Sequence, residues 1–412
     1  YESESGSNYH WTTAYQYPVS RQFSISASWM SAWALSGTAR DAYDRYPNAA
    51  GQLTDSLNAL YSSRYRLRNI TNAAAATLMF SGKKYKARLG GEFRHLAQQG
   101  IGLSAVQERS FKNLVPAAHV ALSLSRQSVL NIAYTAQLMQ PDMNKIRPLL
   151  NNADPMNIVI GNPQLTQSLA HNTHAGYSYT TANGARSLQA SGSLSVIRKA
   201  ISLEQYTDAE GRRTSRYYNQ DGNYTTNVSL DYEQSLGNHI RCSAGPSAGF
   251  SRTITRINKE TSTALSPLFG FRTALQYNKD TLLNIRLDAA ASTVATRSAL
   301  HAGQRARAQS FSGTMNIQYR FPQGRLSLGS ACSWNYLRGS LGSGNSFVVW
   351  NVSVQREMNK EQSLVLKLYV YDLLNRSKGY LAYNEQNIQR EERFISLQRF
   401  FLLGLIWHFT KR

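Results

Sequence analysis

The residues best suited to chemistry are few and lie far apart in the 412-residue chain. Cys242 and Cys332 are the only cysteines, and neither lies in a CxxC motif or near a histidine pair with metal-ligand spacing. Because they fall on non-adjacent predicted strands, we favour two thiols packed as small apolar residues over a disulfide. We therefore expect no metal site and no cofactor.

Catalytic patterns are missing as well. The sequence contains no GxSxG, HExxH or Walker-type motif, and its 8 histidines are scattered. Asp208, Glu210 and Asp221 share one polar loop, where solvated charge is a simpler explanation than paired acid and base catalysis. We expect no catalytic residue and no enzymatic activity, with a membrane protease or lipase as the enzymatic alternative.

The composition indicates what kind of element carries these residues. Hydrophobic residues make up 42% of the chain and charged residues 17%, whereas a soluble domain usually carries about 25% charged residues. The formal net charge is +21, but Lys and Arg are spread along the whole length. We therefore expect no nucleic-acid partner, since an anionic layer of lipopolysaccharide or phospholipid headgroups would explain the same charge.

Apolar and polar residues alternate along the chain, as they do in a strand with one apolar face and one wet face. The alternation is clear at 22–29, 227–233, 283–289, 314–321 and 401–409. These runs suit strands of about 9 to 11 residues that cross a membrane, and no run approaches the about 20 apolar residues of a membrane helix. We predict an all-β fold, a transmembrane antiparallel up-and-down β-barrel.

Short and long connections follow each other in turn, which is typical of outer-membrane barrels. Short turns are predicted near 18–20, 82–84, 126–128, 182–184, 236–238, 278–280, 322–324 and 359–361. Longer polar segments are predicted at about 34–64, 97–110, 140–170, 205–222, 255–264, 297–308, 338–346 and 374–391. This pattern gives about 17 strands. Since bacterial barrels have an even number, we expect about five further strands ahead of residue 1 and about 22 in total.

The most distinctive motif lies in one of the long segments. It reads LLNNADPMNIVIGNPQL over residues 149–165. Its candidate structural residues are Asp154, Pro155, Gly161, Asn162 and Pro163. Together with the strand at 171–179 and YDLLN at 371–375, the motif resembles the outer-membrane β-barrel family of TonB-dependent receptors from Bacteroidota-type bacteria. Asn before Pro favours extended backbone and Gly permits positive φ, so we interpret the motif as a structural loop.

The resemblance covers essentially the whole chain, and it implies both architecture and function. It implies one outer-membrane barrel domain over residues 1–412, incomplete on its N-terminal side, with a periplasmic C-terminus. Such a barrel is an integral outer-membrane receptor and transporter for a bulky nutrient, such as an iron chelate, a glycan or a peptide. Its plug domain and its contact with the TonB complex would lie in a missing N-terminal region. Outer-membrane lipid, lipopolysaccharide and a surface lipoprotein are the further partners we expect.

Sequence cannot identify the substrate-binding residues, which we expect in the external loops 34–64, 140–170 and 205–222. An aromatic girdle next to the short turns is predicted at Tyr17, Tyr232, Tyr277, Tyr319 and Phe409. Two alternatives stay open. One is a plugless passive porin or a surface-adhesion barrel, and about 16 strands with an inward-folded loop would support the porin. A soluble β-rich binding protein would pack its apolar faces inward.

Overall fold

The structure is a computed structural model, and it describes most of the chain. The described residues are 2–47, 52–58, 62–102, 106–146, 150–151, 154, 156–299, 305–322, 325–339, 345–359, 363–377, 379–385, 388–395 and 397–409.

Strands account for nearly all regular structure. In the first half they are β1 Glu2–Pro18, β2 Phe23–Arg40, β3 Tyr43–Pro47, β4 Leu53–Leu57, β5 Ser63–Ser81, β6 Tyr85–Ile101, β7 Val106–Ser123, β8 Ser128–Met139, β9 Leu150–Asn151, β10 Asn157–Ile160, β11 Ser168–Thr180, β12 Arg186–Arg198 and β13 Ala200–Thr207, with one short helix α1 Met143–Ile146. In the second half they are β14 Arg213–Gln220, β15 Asn223–Leu236, β16 Ile240–Ile257, β17 Glu260–Lys279, β18 Leu283–Ser298, β19 Arg305–Arg320, β20 Leu326–Arg338, β21 Asn345–Glu357, β22 Leu364–Tyr371, β23 Gly379–Glu385, β24 Ile388–Phe394 and β25 Phe400–Trp407.

Seventeen of these strands form one continuous antiparallel wall. Each is hydrogen-bonded to the next in the order β1, β2, β5, β6, β7, β8, β11, β12, β15, β16, β17, β18, β19, β20, β21, β22 and β25. The predicted all-β, up-and-down architecture and the count of 17 strands are confirmed. Between the described residues of β1 and β25 no ladder forms, so the wall has two edges.

The wall has one apolar face and one polar face, because residues paired across strands point to the same side. Trp29, Ala74, Phe93 and Leu114 form one apolar row across β2, β5, β6 and β7. Trp29 is 47% exposed and Leu114 is 64% exposed. Large exposed apolar side chains in a one-layer wall are expected where the surrounding medium is hydrocarbon. The wall is therefore built to face lipid.

The strand ends that the eight short turns join lie at one edge of the wall, which we call the short-turn rim, and the strand ends that the longer connections join lie at the opposite long-loop rim. Two predicted long loops are shorter than expected. β6 continues to Ile101 and β7 starts at Val106, while β16 and β17 are joined by Asn258 and Lys259 alone. These two residues have φ of +50° and +72°, as a tight hairpin requires. The strands continue past the apolar part of the wall, where both faces are polar and alternation fades.

The other long segments contain secondary structure of their own. Segment 34–64 carries the end of β2 and hairpin β3–β4, and segment 374–391 carries hairpin β23–β24. Segment 140–170 carries α1, β9 and β10, and segment 205–222 carries the end of β13 and all of β14, which form one hairpin. No described helix is long and apolar enough to cross a membrane.

The cysteines and the aromatic girdle lie where they were predicted. Cys242 on β16 and Cys332 on β20 are free thiols on non-adjacent strands. Aromatic residues collect on the apolar face near the short-turn rim. Examples are the stacked pair Phe23 and Phe80, the edge-on pair Tyr319 and Phe321, the contact between Trp407 and Phe409, and the exposed Tyr17 and Tyr232.

Candidate binding site at the long-loop rim

Two of the three loops predicted to bind substrate meet at the long-loop rim. β10, from segment 140–170, pairs in parallel with β14, from segment 205–222, beginning with Asn157 opposite Arg213. In the third segment, 34–64, hairpin β3–β4 pairs with no other described strand. The site can therefore be built from the first two segments.

Hairpin β13–β14 reaches β10 because its base is kinked. Lys199 has φ of +49° and Gly222 has φ of +104°, which only glycine tolerates easily. The Lys199 amide donates to the Asp221 carboxylate at 2.7 Å, and the Asn219 side chain donates to the Lys199 carbonyl at 2.7 Å. On the short-turn side of the kink β15 pairs with β16, whereas on the long-loop side β13 pairs with β16. The two arms of the hairpin thus exchange neighbours, which frees β14 to pair with β10.

Asp154 organises the first part of the loop motif. Its carboxylate accepts hydrogen bonds from the Met156 amide at 2.9 Å and from the Asn157 side chain at 2.6 Å. The Asn157 side chain and then the Met156 amide hold the pKa of the Asp154 carboxyl below its usual range. Asp154 therefore stabilises the turn that leads into β10. Pro155 lies outside the described residues.

Asn162 joins the loop motif to the neighbouring hairpin. It is 8% exposed. Its side chain donates to the Tyr217 carbonyl of β14 at 2.8 Å and accepts from the Gln164 amide at 3.0 Å. Its own amide donates to the Lys145 carbonyl at 2.6 Å. Gly161 beside it is buried, so the motif lies at the centre of this rim structure.

Arg109 of β7 fixes the other side of the motif. Its guanidinium donates to the carbonyl oxygens of Pro163 and Leu165, each at 2.6 Å, and to the side chain of Gln98 on β6. Gln98 in turn donates to the Asn69 side chain at 2.9 Å. Leu165 is fully buried. One cation therefore satisfies two loop carbonyls that burial would otherwise leave without a partner.

The loop occupies a split in the wall. β7 pairs with β8 only up to Ala117 opposite Thr135, and the next residue, Pro116, has no amide hydrogen to continue the ladder. Beyond that point the Asn113 side chain donates to Gln167 at 2.6 Å. On the polar face of β7, Ala117 below the split is exposed to solvent, whereas Arg109, nearer the long-loop rim, is partly covered by the loop. The loop thus folds inward over the polar face.

Charged residues line the polar face nearer the short-turn rim. Arg272 donates to Asp231 from both Nε, at 2.8 Å, and Nη2, at 2.5 Å. Arg286 and Asp288 form a second pair at 2.8 Å. The two pairs border a hollow of about 490 Å³. A polar, charged interior is what a water-filled or plugged lumen requires.

The three acidic residues considered for catalysis all have structural contacts. Asp208 accepts from the Arg212 amide and Nε, both at 2.8 Å, and Glu210 lies 3.4 Å from the same guanidinium. Asp221 accepts from the Lys199 amide at the kink. The structure therefore brings Asp208 and Glu210 to one arginine and places Asp221 elsewhere.

Sequence reasoning missed Arg109 and Asn219. Asn219 accepts from the Thr166 amide at 2.7 Å and donates to the Thr166 carbonyl at 3.1 Å, so it ties the loop to the hairpin. Neither residue lies in a motif, and each is one polar residue in a polar or alternating stretch. The available signal was Pro116 within a long predicted strand, since proline there marks an interrupted ladder.

The wall, its two rims and its lipid-compatible face define an integral outer-membrane barrel. The model of the outer membrane protein beta-barrel family matches residues 1–407. This chain belongs to that family. No curated protein sequence matches the chain.

Solved structures share the fold at low sequence identity. The ferric-catecholate import receptor Fiu from K12 E. coli, in its closed form, has a TM-score of 0.51 and 12% identity over 98% of this chain. The copper transporter OprC has a TM-score of 0.51 and 11% identity over 98% of this chain. The chain spans 64% of the length of the first structure and 67% of the second.

Proposed function

We propose that this chain is the membrane barrel of an active outer-membrane receptor that imports a bulky nutrient and depends on the TonB complex. The long-loop rim is extracellular in this proposal, and the C-terminus lies in the periplasm. The two similar structures are named as an import receptor and a copper transporter. We therefore propose uptake, rather than enzymatic turnover, as the function of this chain.

The number of strands in the wall and the directions in which they run support the proposal. The first and last strands of a 17-strand antiparallel wall run in the same direction, so β1 and β25 are parallel to each other. A lipid-embedded barrel cannot leave strand edges unpaired, and an odd number of further strands closes it with antiparallel pairs throughout. Five further strands give 22, the size at which transporter barrels hold a plug in the lumen.

The rim structure gives the receptor a place to bind its ligand. Hairpin β13–β14 and β10 continue the sheet at the long-loop rim, and the Asn162 loop is joined to them through Tyr217. Side-chain hydrogen bonds from β7 hold the same loop to the wall. Preformed loops of this kind place ligand contacts at low entropic cost.

A passive porin is the second candidate, because an inward-folded loop also narrows porin channels. The loop around Asn162 folds over the polar face and is anchored by Arg109. In a porin this anchor would hold a constriction inside an open channel. The wall of 17 strands is already wider than the about 16 expected for that alternative.

Conductance of the native full-length protein in planar bilayers separates the two candidates. We expect no steady open channel, since a plug fills the lumen, and we expect nutrient-limited growth to require both this gene and TonB. A steady ohmic channel together with growth that is independent of TonB would establish the porin instead.

A further inference from the structure

The apolar face gives way to polar residues toward the long-loop rim on the strands β2, β5, β6 and β7. The last fully apolar row contains Trp29, Ala74, Phe93 and Leu114. The next row toward the long-loop rim contains Ser31, Asn72, His95 and Lys112. This row is hydrogen-bonded, with Ser31 donating to Asn72 at 2.8 Å and His95 2.8 Å from the Ser110 hydroxyl. It marks the level at which hydrocarbon gives way to headgroups.

Three arginines on β5, which we call the arginine row, lie on the same face between that level and the long-loop rim. Arg64, Arg66 and Arg68 alternate with Tyr65 and Leu67 on β5. Tyr65 and Leu67 are 6% and 5% exposed, whereas the three arginines are exposed. No described residue forms an ion pair with any of the three. Their charges are therefore available to an outside anion.

Beside Arg68 the surface has a hollow of about 390 Å³. Ile70, Ala97 and Ser110 line it, and two of these side chains are small. The carboxylate of Glu108, which also borders the hollow, accepts a hydrogen bond from Gln99 at 2.8 Å. A hollow with an apolar floor and a cationic edge fits an amphipathic anion.

We propose that this surface, made of Arg64, Arg66, Arg68, Lys112 and the hollow, binds one lipopolysaccharide molecule of the outer leaflet. Arginine pairs with phosphate oxygens through parallel N–H groups, so the arginine row binds the phosphorylated sugar headgroup. The acyl chains pack below it on the last fully apolar row, against Trp29 and Leu114, which are 47% and 64% exposed. The assignment rests on the orientation in the proposed function, in which the long-loop rim faces outward.

A matched pair of double variants tests the site. R66Q/R68Q removes two charges from the arginine row, and K83Q/K84Q removes two from the exposed turn at the other end of the same β5–β6 hairpin. Native mass spectrometry of each full-length protein in detergent, titrated with purified lipopolysaccharide or with phosphatidylglycerol, measures lipid binding directly. We expect R66Q/R68Q to bind lipopolysaccharide about tenfold more weakly, from the loss of two exposed charge contacts. K83Q/K84Q binds it as the unsubstituted protein does.

Three results would overturn the site: equal lipopolysaccharide binding by both double variants, a larger loss in K83Q/K84Q, or phosphatidylglycerol binding as tight as lipopolysaccharide binding. R66K/R68K keeps both charges and is expected to retain most of the binding, which separates a lost contact from a misfolded strand. Lipid binding is measured without transport. Lipopolysaccharide binding at the arginine row together with TonB-independent growth would therefore contradict the proposed function and leave the lipid site standing.

Discussion

Arg109 on the polar face of β7 donates a hydrogen bond to the carbonyl oxygen of Leu165, 56 residues further along the chain, at 2.6 Å. The same guanidinium also donates a hydrogen bond to the carbonyl oxygen of Pro163. Through this contact one wall strand positions the loop that in turn holds hairpin β13–β14. The long-loop rim is therefore a single connected structure rather than a set of independent loops.

Replacing Arg109 by Gln should loosen the loop at 140–167. The substitution removes two charge-assisted hydrogen bonds from buried carbonyls, which costs on the order of 2 kcal/mol. We expect faster cleavage of this loop in limited proteolysis of the protein in detergent. Arg88→Gln is the matched control, because Arg88 is an exposed arginine at the other end of the neighbouring strand β6. Equal cleavage rates in the two variants would show that Arg109 does not anchor the loop.

Two substitutions of Asn162 test its contacts in different ways. Asn162→Ala loses the donor to the Tyr217 carbonyl and the acceptor for the Gln164 amide, at about 1 kcal/mol for each net hydrogen bond. Asn162→Asp keeps the acceptor but places a buried carboxylate against the Tyr217 carbonyl oxygen, which costs more than the two lost hydrogen bonds. In thermal unfolding followed by heat-modified gel mobility at neutral pH, the aspartate variant should therefore unfold at the lower temperature. An aspartate variant at least as stable as the alanine variant would contradict the role of Asn162.

The kink at Gly222 can be tested against a second glycine of positive φ. A Cβ at Gly222 would lie 2.7 Å from the Ile254 Cδ1 atom, whereas a Cβ at Gly211 would meet nothing within 4 Å. Gly222→Ala should therefore destabilise the hairpin by more than Gly211→Ala, which pays only the about 1 kcal/mol of an unfavourable φ. Hydrogen exchange of hairpin β13–β14 measures the difference. Similar protection in both variants would argue against a kink set by Gly222.

The turn at Asp154 should be sensitive to acid. The pKa of this carboxyl is lowered in the folded protein by the Asn157 side chain and the Met156 amide. The turn is therefore stabilised at pH values above the unfolded pKa of about 3.9, and this stabilisation is lost as the pH falls through the lowered folded value. Cleavage of loop 140–167 by an acid-active protease should rise over that range. In Asp154→Asn it should already be fast at the top of the range and change little.

The wall could be predicted from sequence because side-chain alternation reports the two faces of each strand directly. The runs at 22–29 and 314–321 lie in β2 and β19, and the count of 17 strands follows from the short turns. The rim was harder to predict. Alternation ends where both faces are polar, so β6 and β7 extend further than expected and the 255–264 segment is a tight turn.

The contacts of the candidate site could not be predicted from sequence. The bond from Arg109 to Leu165 joins residues that no local pattern relates. The parallel pairing of β10 with β14 depends on the exchange of hairpin arms at Lys199 and Gly222. The loop motif did single out Asp154, Gly161 and Asn162 in advance, and Asn162 lies where the loop meets the hairpin.

An electron cryomicroscopy structure of the full-length protein, extracted from its native outer membrane, tests the central claim most directly. We expect a closed barrel of about 22 strands, with an odd number of strands between β25 and β1 and a folded domain filling the polar lumen. β1 paired directly with β25, or an open lumen without a plug, would contradict an active receptor barrel.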